Sequence, residues 1–133
     1  MNHSISAASG VRPIHYTEAE FPEIECVPNP YSGREYNVEI SILEFTCVCP
    51  VTGLPDFAEI RVNYVPGERL IEFKSLKYYI LAYRNVGVHH EAAINKILDD
   101  LVAVCAPQRM EVVGDFSVRG GIKAAVRVEY RQK

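Results

Sequence analysis

The stretch from Glu35 to Val65 reads EYNVEISILEFTCVCPVTGLPDFAEIRVNYV and decides the fold. Apolar side chains take every second position in its first half, at Tyr36, Val38, Ile40 and Ile42. The second half repeats this period of two more loosely, with apolar residues at Phe57, Ile60, Val62 and Tyr64. Such alternation is typical of a strand that buries one face. Two prolines and a glycine interrupt it in the middle, so the stretch predicts two strands joined by a turn.

The middle of the chain has helical periodicity instead. In the first helical segment the apolar positions are Leu76, Tyr79, Ile80 and Tyr83. In the second segment, which runs from His89 to Pro107, they are Ala93, Ile94, Ile97, Leu98, Leu101, Val104 and Cys105. Both sets recur every three or four residues, which is the spacing of one helix face, and Pro107 ends the second helix.

Two further strands close the chain. The first has apolar residues at Met110, Val112 and Val113, and the second has them at Ile122, Ala124, Val126, Val128 and Tyr130. The resulting order predicts an α+β fold, an antiparallel four-stranded sheet with two helices on one face. Such a sheet leaves its two outer strands unpaired. Edge-to-edge association of several subunits into a closed barrel would protect them.

The length and composition narrow the class of protein. The 133 residues suit one ordinary domain, which we place at 21–133 behind a polar, flexible tail at 1–20. Hydrophobic residues make up 48% of the chain, which excludes a fully disordered protein, and the net charge of −3 argues against a dedicated nucleic-acid binder. Apolar runs stay shorter than the roughly 18 residues that span a bilayer, and the N-terminus lacks the pattern of a secretory signal. We therefore expect a cytoplasmic protein.

The turn between the first two strands carries the first candidate for chemistry. Cys49 lies at a strand end, and Asp56 opens the next strand, so the returning chain brings a carboxyl group toward a thiol. A nucleophilic cysteine needs a lowered pKa and an acid–base partner. The alternative is a buried thiol beside a turn-capping aspartate. The other cysteines, Cys26, Cys47 and Cys105, are interpreted as small hydrophobic residues.

Cationic residues form the second candidate. Lys74 and Lys77 share one face of the first helix and, together with Ser75, could hold an anion such as a phosphate. In the closing turn, Arg119 beside Gly120 offers a guanidinium on flexible backbone, which suits the same ligand. A solvated lysine face and an ordinary hairpin are the alternatives.

The third candidate is the run His89-His90-Glu91 at the start of the second helix. Glu91 is favourable in a first helical turn even without a function, because the helix dipole stabilises a negative charge there. A zinc-protease helix needs a second histidine four residues after the first, and the sequence lacks it. No metal site is predicted.

Four motifs in this order resemble the QueF family. They are EFTCVCPVTGLPDFA at Glu44–Ala58, EFKSLKYYI at Glu72–Ile80, YRNVGVHHE at Tyr83–Glu91 and GDFSVRGG at Gly114–Gly121. The resemblance implies NADPH-dependent reduction of 7-cyano-7-deazaguanine to 7-aminomethyl-7-deazaguanine, a nitrile reduction in queuosine biosynthesis for tRNA modification. It also implies the tunnelling fold, in which ββααββ subunits form barrels. The expected homo-oligomer is a decamer of two pentamers, with neither a nucleic-acid nor a membrane partner.

The same resemblance implies a role for individual residues. Cys49 would be the nucleophile and Asp56 the acid–base residue. Substrate binding would fall to Glu72, His90 and Glu91. Cofactor binding would fall to Lys74, Ser75, Lys77, Arg119 and Gly120. Two residues depart from those usual in the family, Phe73 and His89, and Phe73 could alter the cofactor pocket.

Two alternative functions stay open. A QueF-like amidinotransferase would keep the cysteine but would add ammonia to the nitrile, and we expect such an enzyme to lack the lysine-bearing motif. A non-catalytic tunnelling-fold domain would only bind a purine or a pterin. The presence of Cys49 and Asp56 together with Lys74 and Lys77 favours the reductase.

Overall fold

The computed structural model describes residues 13–133. Within them the strands are β1 Ile14–His15, β2 Cys26–Pro28, β3 Val38–Val48, β4 Pro55–Val65, β5 Arg69–Ile71, β6 Val86–Gly87, β7 Arg109–Phe116 and β8 Ala125–Arg131. The helices are α1 Phe73–Leu81, a short 3-10 helix at Ala82–Asn85 and α2 His90–Cys105. The four long strands and the two α-helices follow one another in the predicted order, which confirms the α+β class.

The main sheet has six strands rather than the four predicted. Its order is β1-β6-β3-β4-β7-β8, and a separate pair is formed by β2 and β5. The four long strands are antiparallel, as expected, whereas β1 and β6 add parallel pairs beside β3, so the sheet is mixed. The sequence could not reveal β1 and β6, because a strand of two residues has no periodicity to detect.

The helices cover one face of this sheet. The buried residues of β4 are Asp56, Ala58, Ile60, Val62, Tyr64 and Val65, and those of α2 are Ala93, Ile94, Ile97, Leu98, Leu101 and Cys105. Gly114 on β7 lets α2 approach closely, because a Cβ atom there would lie 2.4 Å from Cδ1 of Ile94. The apolar area buried between helix and sheet is the main force that holds the two layers together.

A β-bulge in β3 determines where the catalytic candidate lies. The pairing of β3 with β4 shifts between Ile42 and Phe45. Before the shift the even-numbered apolar residues are half-buried, and after it Phe45 and Cys47 are fully buried. Since alternate residues of a strand share a face, the bulge turns the odd-numbered end of β3 toward the core. The bulge thereby determines which face of the sheet the chain follows as it leaves β3 at Cys49.

Part of the predicted tail belongs to the sheet. Residues 1–12 lie outside the described part of the chain, whereas Ile14 and His15 pair with Val86 and Gly87. The backbone N–H of Tyr16 continues this pairing with a hydrogen bond of 3.1 Å to the carbonyl of Gly87. These contacts involve the backbone alone, which explains why the polar sequence gave no sign of them.

Two apolar positions expected on buried faces are exposed, and a third is half-buried against the core. Phe57 is 53% exposed, because it faces away from the neighbouring buried residues Asp56 and Ala58. Ile122 is 74% exposed in a turn, since β8 begins only at Ala125, and Val104 is half-buried at the edge of the α2 stripe.

Among residues 13–133, helices of the length and apolar character needed to cross a membrane are absent.

Candidate active site

Cys49 lies in a tight loop that joins β3 to β4. Its backbone N–H donates to the carbonyl of Leu54 at 2.9 Å, and its carbonyl accepts from the N–H of Gly53 at 2.9 Å. Gly53 has a φ of 73°, a left-handed conformation that favours glycine. The loop therefore holds the half-buried thiol at a fixed place beyond the strand end.

The environment of Cys49 favours its thiolate. Burial raises the pKa of this thiol, but hydrogen bonds from the Thr52 hydroxyl and from the backbone N–H groups of Thr52 and Val51 lower it by more. The negative charge of Asp56 opposes them only in part, and the resulting pKa lies below the ordinary thiol value. A thiolate is the reactive form of cysteine, so the loop prepares Cys49 for nucleophilic attack.

The other cysteines have the opposite character. Burial raises the pKa of Cys47 and that of Cys105 to about 12, and it also raises the pKa of Cys26. Cys47 and Cys105 are buried and Cys26 is half-buried against the core, which agrees with the prediction that they are small hydrophobic residues. Of the four thiols, Cys49 is therefore the one poised for chemistry.

Asp56 begins β4, and both of its carboxylate oxygens have partners. Nη2 of Arg119 lies 2.8 Å from Oδ1, and Nε2 of His90 lies 3.3 Å from Oδ2. The Asp56 side chain is only 9% exposed, and the pairing register of the hairpin puts it opposite Cys47. A buried carboxylate is stable here because two cationic or hydrogen-bonding groups face it.

His90 is fixed at the N-terminal end of α2. Its ring stacks on Phe116 with 3.8 Å between the ring centroids and 9° between the planes. Glu91 follows in the first turn of the helix with an exposed side chain. The sequence missed Phe116 and Thr52 as site residues; both lie inside the resembling motifs, but neither side chain carries a charge or a strong nucleophile to mark it.

The side chains of Glu72 and Ser75 form hydrogen bonds at the start of α1. The two carboxylate oxygens of Glu72 accept hydrogen bonds of 2.8 Å from the N–H groups of Lys74 and Ser75, and these bonds lower the pKa of Glu72. The buried Ser75 hydroxyl donates to the carbonyl of Glu72 and accepts from the N–H of Glu25. Glu72 thus caps the helix, and Ser75 joins its first turn to Glu25. Their substrate and cofactor roles stay predictions.

Lys74 and Lys77 lie on the exposed side of α1. Nζ of Lys77 lies 5.3 Å from the ring centre of Tyr78, and Lys74 and Tyr78 line a cavity of about 690 Å³. Two ammonium groups one helical turn apart can meet the phosphates of a nucleotide. Arg119, predicted to serve the same phosphates, is instead bound to Asp56 and to the carbonyl of Pro55.

A family model described as a QueF-like protein matches residues 55–133 of the chain. The chain belongs to the QueF family. Curated QueF relatives include the NADPH-dependent 7-cyano-7-deazaguanine reductase of Anaeromyxobacter sp. (strain K), which is 52% identical over 84% of this chain and 91% of the relative. The reductase of the same name from Nitrosococcus oceani is 53% identical over 83% and 85%, and that from Microcystis aeruginosa is 46% identical over 90% and 93%.

A solved structure supports the QueF fold. The archaeosine synthase QueF-Like in the apo form aligns with a TM-score of 0.66, covering 70% of this chain and 91% of its own. Its sequence is 24% identical, so the likeness concerns the fold alone. The resemblance drawn from the four motifs is therefore confirmed at the level of the family.

Proposed function

We propose that the chain is an NADPH-dependent 7-cyano-7-deazaguanine reductase that works through a covalent adduct on Cys49. Relatives of this name, 46–53% identical over most of the chain, support the reaction and the cofactor. The observation that carries the mechanism is the lowered pKa of the Cys49 thiol in a loop whose next strand opens with Asp56. The proposed enzyme is an oxidoreductase of queuosine biosynthesis, and the proposal includes a cytoplasmic location.

Cys49 begins the reaction by adding to the nitrile carbon. A carbon–sulfur bond forms and one π bond of the nitrile breaks. Asp56 accepts the thiol proton of Cys49 and passes it to the nitrogen, which gives a thioimide. A thioimide accepts hydride more readily than a nitrile does. Cys49 is expelled when the reduced, tetrahedral adduct collapses to an imine. The residue is thus regenerated, and the carbon that it held becomes the aminomethyl group of the product.

The exposed face of α1 fits the cofactor. Lys74 and Lys77 supply two cationic groups for phosphates, and Tyr78 supplies an aromatic surface next to them. When bound, NADPH supplies the two hydrides that a four-electron reduction requires. These residues favour the reductase over the amidinotransferase, which needs no hydride donor.

Substrate recognition is assigned to the start of α2. Glu91 is exposed there and can accept two parallel hydrogen bonds from the ring N–H and the exocyclic amine of a deazaguanine. His90, fixed on Phe116 and beside Asp56, adjoins the reacting group. The base would therefore be held at one end by Glu91 while its nitrile faces Cys49.

The proposal includes a homo-oligomer. In the described part of the chain β8 pairs on one side only, and it runs for seven residues, long enough to pair with another subunit. The barrel of two pentameric rings implied by the family resemblance would close this edge.

A turnover assay tests the function. We expect the purified protein to oxidise NADPH only when 7-cyano-7-deazaguanine is present, with two NADPH consumed for each amine formed. Formation of an amidine from ammonia without NADPH oxidation would identify an amidinotransferase. Binding of the nitrile without any turnover would identify a non-catalytic domain.

A further inference from the structure

Arg119 joins the closing hairpin to the start of β4. Nη2 of its guanidinium forms an ion pair with Oδ1 of Asp56 at 2.8 Å and donates a hydrogen bond to the backbone carbonyl of the adjacent Pro55. Both contacts are made by Nη2, so this corner of the guanidinium is held against the first two residues of β4. The Arg119 side chain is 45% exposed, so it reaches the buried carboxylate from the solvent side.

The hairpin is shaped to present this side chain. Arg119 and Ile122 pair with each other through two backbone hydrogen bonds of 2.9 and 3.0 Å. Between them, Gly120 and Gly121 have φ values of 57° and 77°. Two successive left-handed residues form the tight turn that joins antiparallel strands with little distortion, and glycine adopts it readily. The arginine is thereby held at the base of the turn rather than at its mobile tip.

The second oxygen of Asp56 is restrained from the opposite direction. Nε2 of His90 lies 3.3 Å from Oδ2, and the imidazole cannot easily turn because it stacks on Phe116. Asp56 therefore lies between a guanidinium and an imidazole that belong to different elements, the β7–β8 hairpin and α2. A carboxylate held at both oxygens cannot swing away from the thiol loop.

We infer that Arg119 is a positioning residue for Asp56 in the formation of the Cys49 adduct, a step that uses no NADPH. This rests on the proposed function and adds to the phosphate-binding role implied by the family resemblance. In the step, the thiol proton of Cys49 passes to the Asp56 carboxylate and then to the nitrile nitrogen, while sulfur bonds to carbon. Atoms and charge balance without a further reactant. Arg119 acts by keeping the carboxylate in line for both transfers.

The two roles of Arg119 make different predictions. A residue that only binds phosphate changes the KM for NADPH and leaves the cofactor-free step untouched. A residue that positions Asp56 changes the rate of adduct formation with no NADPH in the solution. The rate of that half-reaction separates them.

The experiment measures adduct formation by rapid quenching and intact mass, with the nitrile but without NADPH. We expect Arg119→Ala to slow the adduct at least about tenfold and Arg119→Lys to restore part of the rate. The matched control is Arg127→Ala, which removes another arginine of the same hairpin, paired with Glu111 at 2.8 Å, and should leave the rate unchanged. Melting temperatures of all variants verify that each is folded.

The outcomes are distinct. If Arg119→Ala forms the adduct at the wild-type rate and only its KM for NADPH rises, the positioning role is wrong. An equal loss in Arg119→Ala and Arg127→Ala would also overturn it, because a general effect on the hairpin would then explain the result. Failure of the wild-type protein to form any adduct would instead refute the proposed function itself.

Discussion

Cys49 differs from the three other thiols in the sign of its pKa shift, and this difference can be measured without substrate. Its pKa lies below the ordinary 9.0, since hydrogen bonds from Thr52 and Val51 outweigh burial. A lowered pKa keeps the thiolate present at lower pH. We expect the rate of Cys49 alkylation by iodoacetamide to rise with pH through a midpoint below 9.0. Peptide mass mapping at each pH measures this rate.

Cys26 is the matched control, because it is also half-buried but has a raised pKa. Its alkylation should rise only above pH 9.0.

Intact mass after mixing with the nitrile identifies the nucleophile. Wild type and Cys26→Ala should gain the full mass of the nitrile, and Cys49→Ala should gain none. An adduct on Cys49→Ala would show that another cysteine is the nucleophile.

We predict that Lys77 contacts the cofactor rather than the reacting nitrile. It is exposed on α1, so removing its charge should weaken the contact with a phosphate but should not disturb Cys49. We expect Lys77→Ala to raise the KM for NADPH by up to about tenfold, a moderate effect because solvent screens exposed charges. Steady-state kinetics with varied NADPH measure this. Normal cofactor affinity combined with loss of the adduct would exclude the assignment.

Glu91 provides the test of the base that is recognised. Glu91→Gln keeps the shape but turns an N–H donor toward the donors of the deazaguanine. The mismatch should lower kcat/KM about 30- to 1,000-fold, while thermal stability should barely change for an exposed side chain. Near-normal turnover, or unfolding of the variant, would show that Glu91 serves only the helix end.

Among the elements, α1 begins with a turn whose stability depends on pH, because the Glu72 carboxylate caps it. The pKa of this carboxylate is lowered in the folded protein, so its stabilising effect is present above the unfolded value of 4.5 and is lost as the pH falls through the lower folded value. Glu72→Ala should therefore lower Tm by a few degrees at neutral pH. The difference from wild type should disappear well below pH 4.5.

Melting curves of wild type and Glu72→Ala at several pH values measure this effect. Glu111→Ala is a control because it removes a carboxylate from β7 without touching a helix end. A Tm difference that persists unchanged in acid would mean that capping by the charged form is not the cause.

The elements that the sequence predicted are those with a repeating pattern. Alternation revealed β3, β4, β7 and β8, and helical spacing revealed α1 and α2, because each buries one face of several residues. β1 and β6 escaped detection since they consist of two residues held by backbone bonds. The bulge in β3 was equally hidden, because it changes the buried face without changing the composition.

The site was predictable where chemistry marks a residue and not where geometry does. Cys49 and Asp56 stood out because a thiol and a carboxylate flank one turn. The pairing of Arg119 with Asp56 depends on a hairpin that returns 63 positions later in the sequence, and no local pattern encodes it. The capping role of Glu72 was hidden for a different reason, since a glutamate at this place also suits the substrate-binding role that the family resemblance implies.

At the scale of the whole molecule, the unpaired edge of β8 predicts an assembly. Along this strand the half-buried Val126, Val128 and Tyr130 pack toward the core, while the backbone groups on one side have no strand partner in the described part of the chain. A long strand edge of this kind favours pairing with another subunit, and a symmetric ring satisfies every copy equally.

Light scattering coupled to size exclusion tests this prediction. We expect the mass to be a large multiple of the 15.0 kDa chain at micromolar concentration, and activity to fall when dilution dissociates the ring. Lys123→Ala, on the turn before β8 and paired with Asp115, is a control that alters nearby charge without altering the strand edge. A protein that keeps full activity at the mass of one chain would show that β8 needs no partner and that the site is complete within a single subunit.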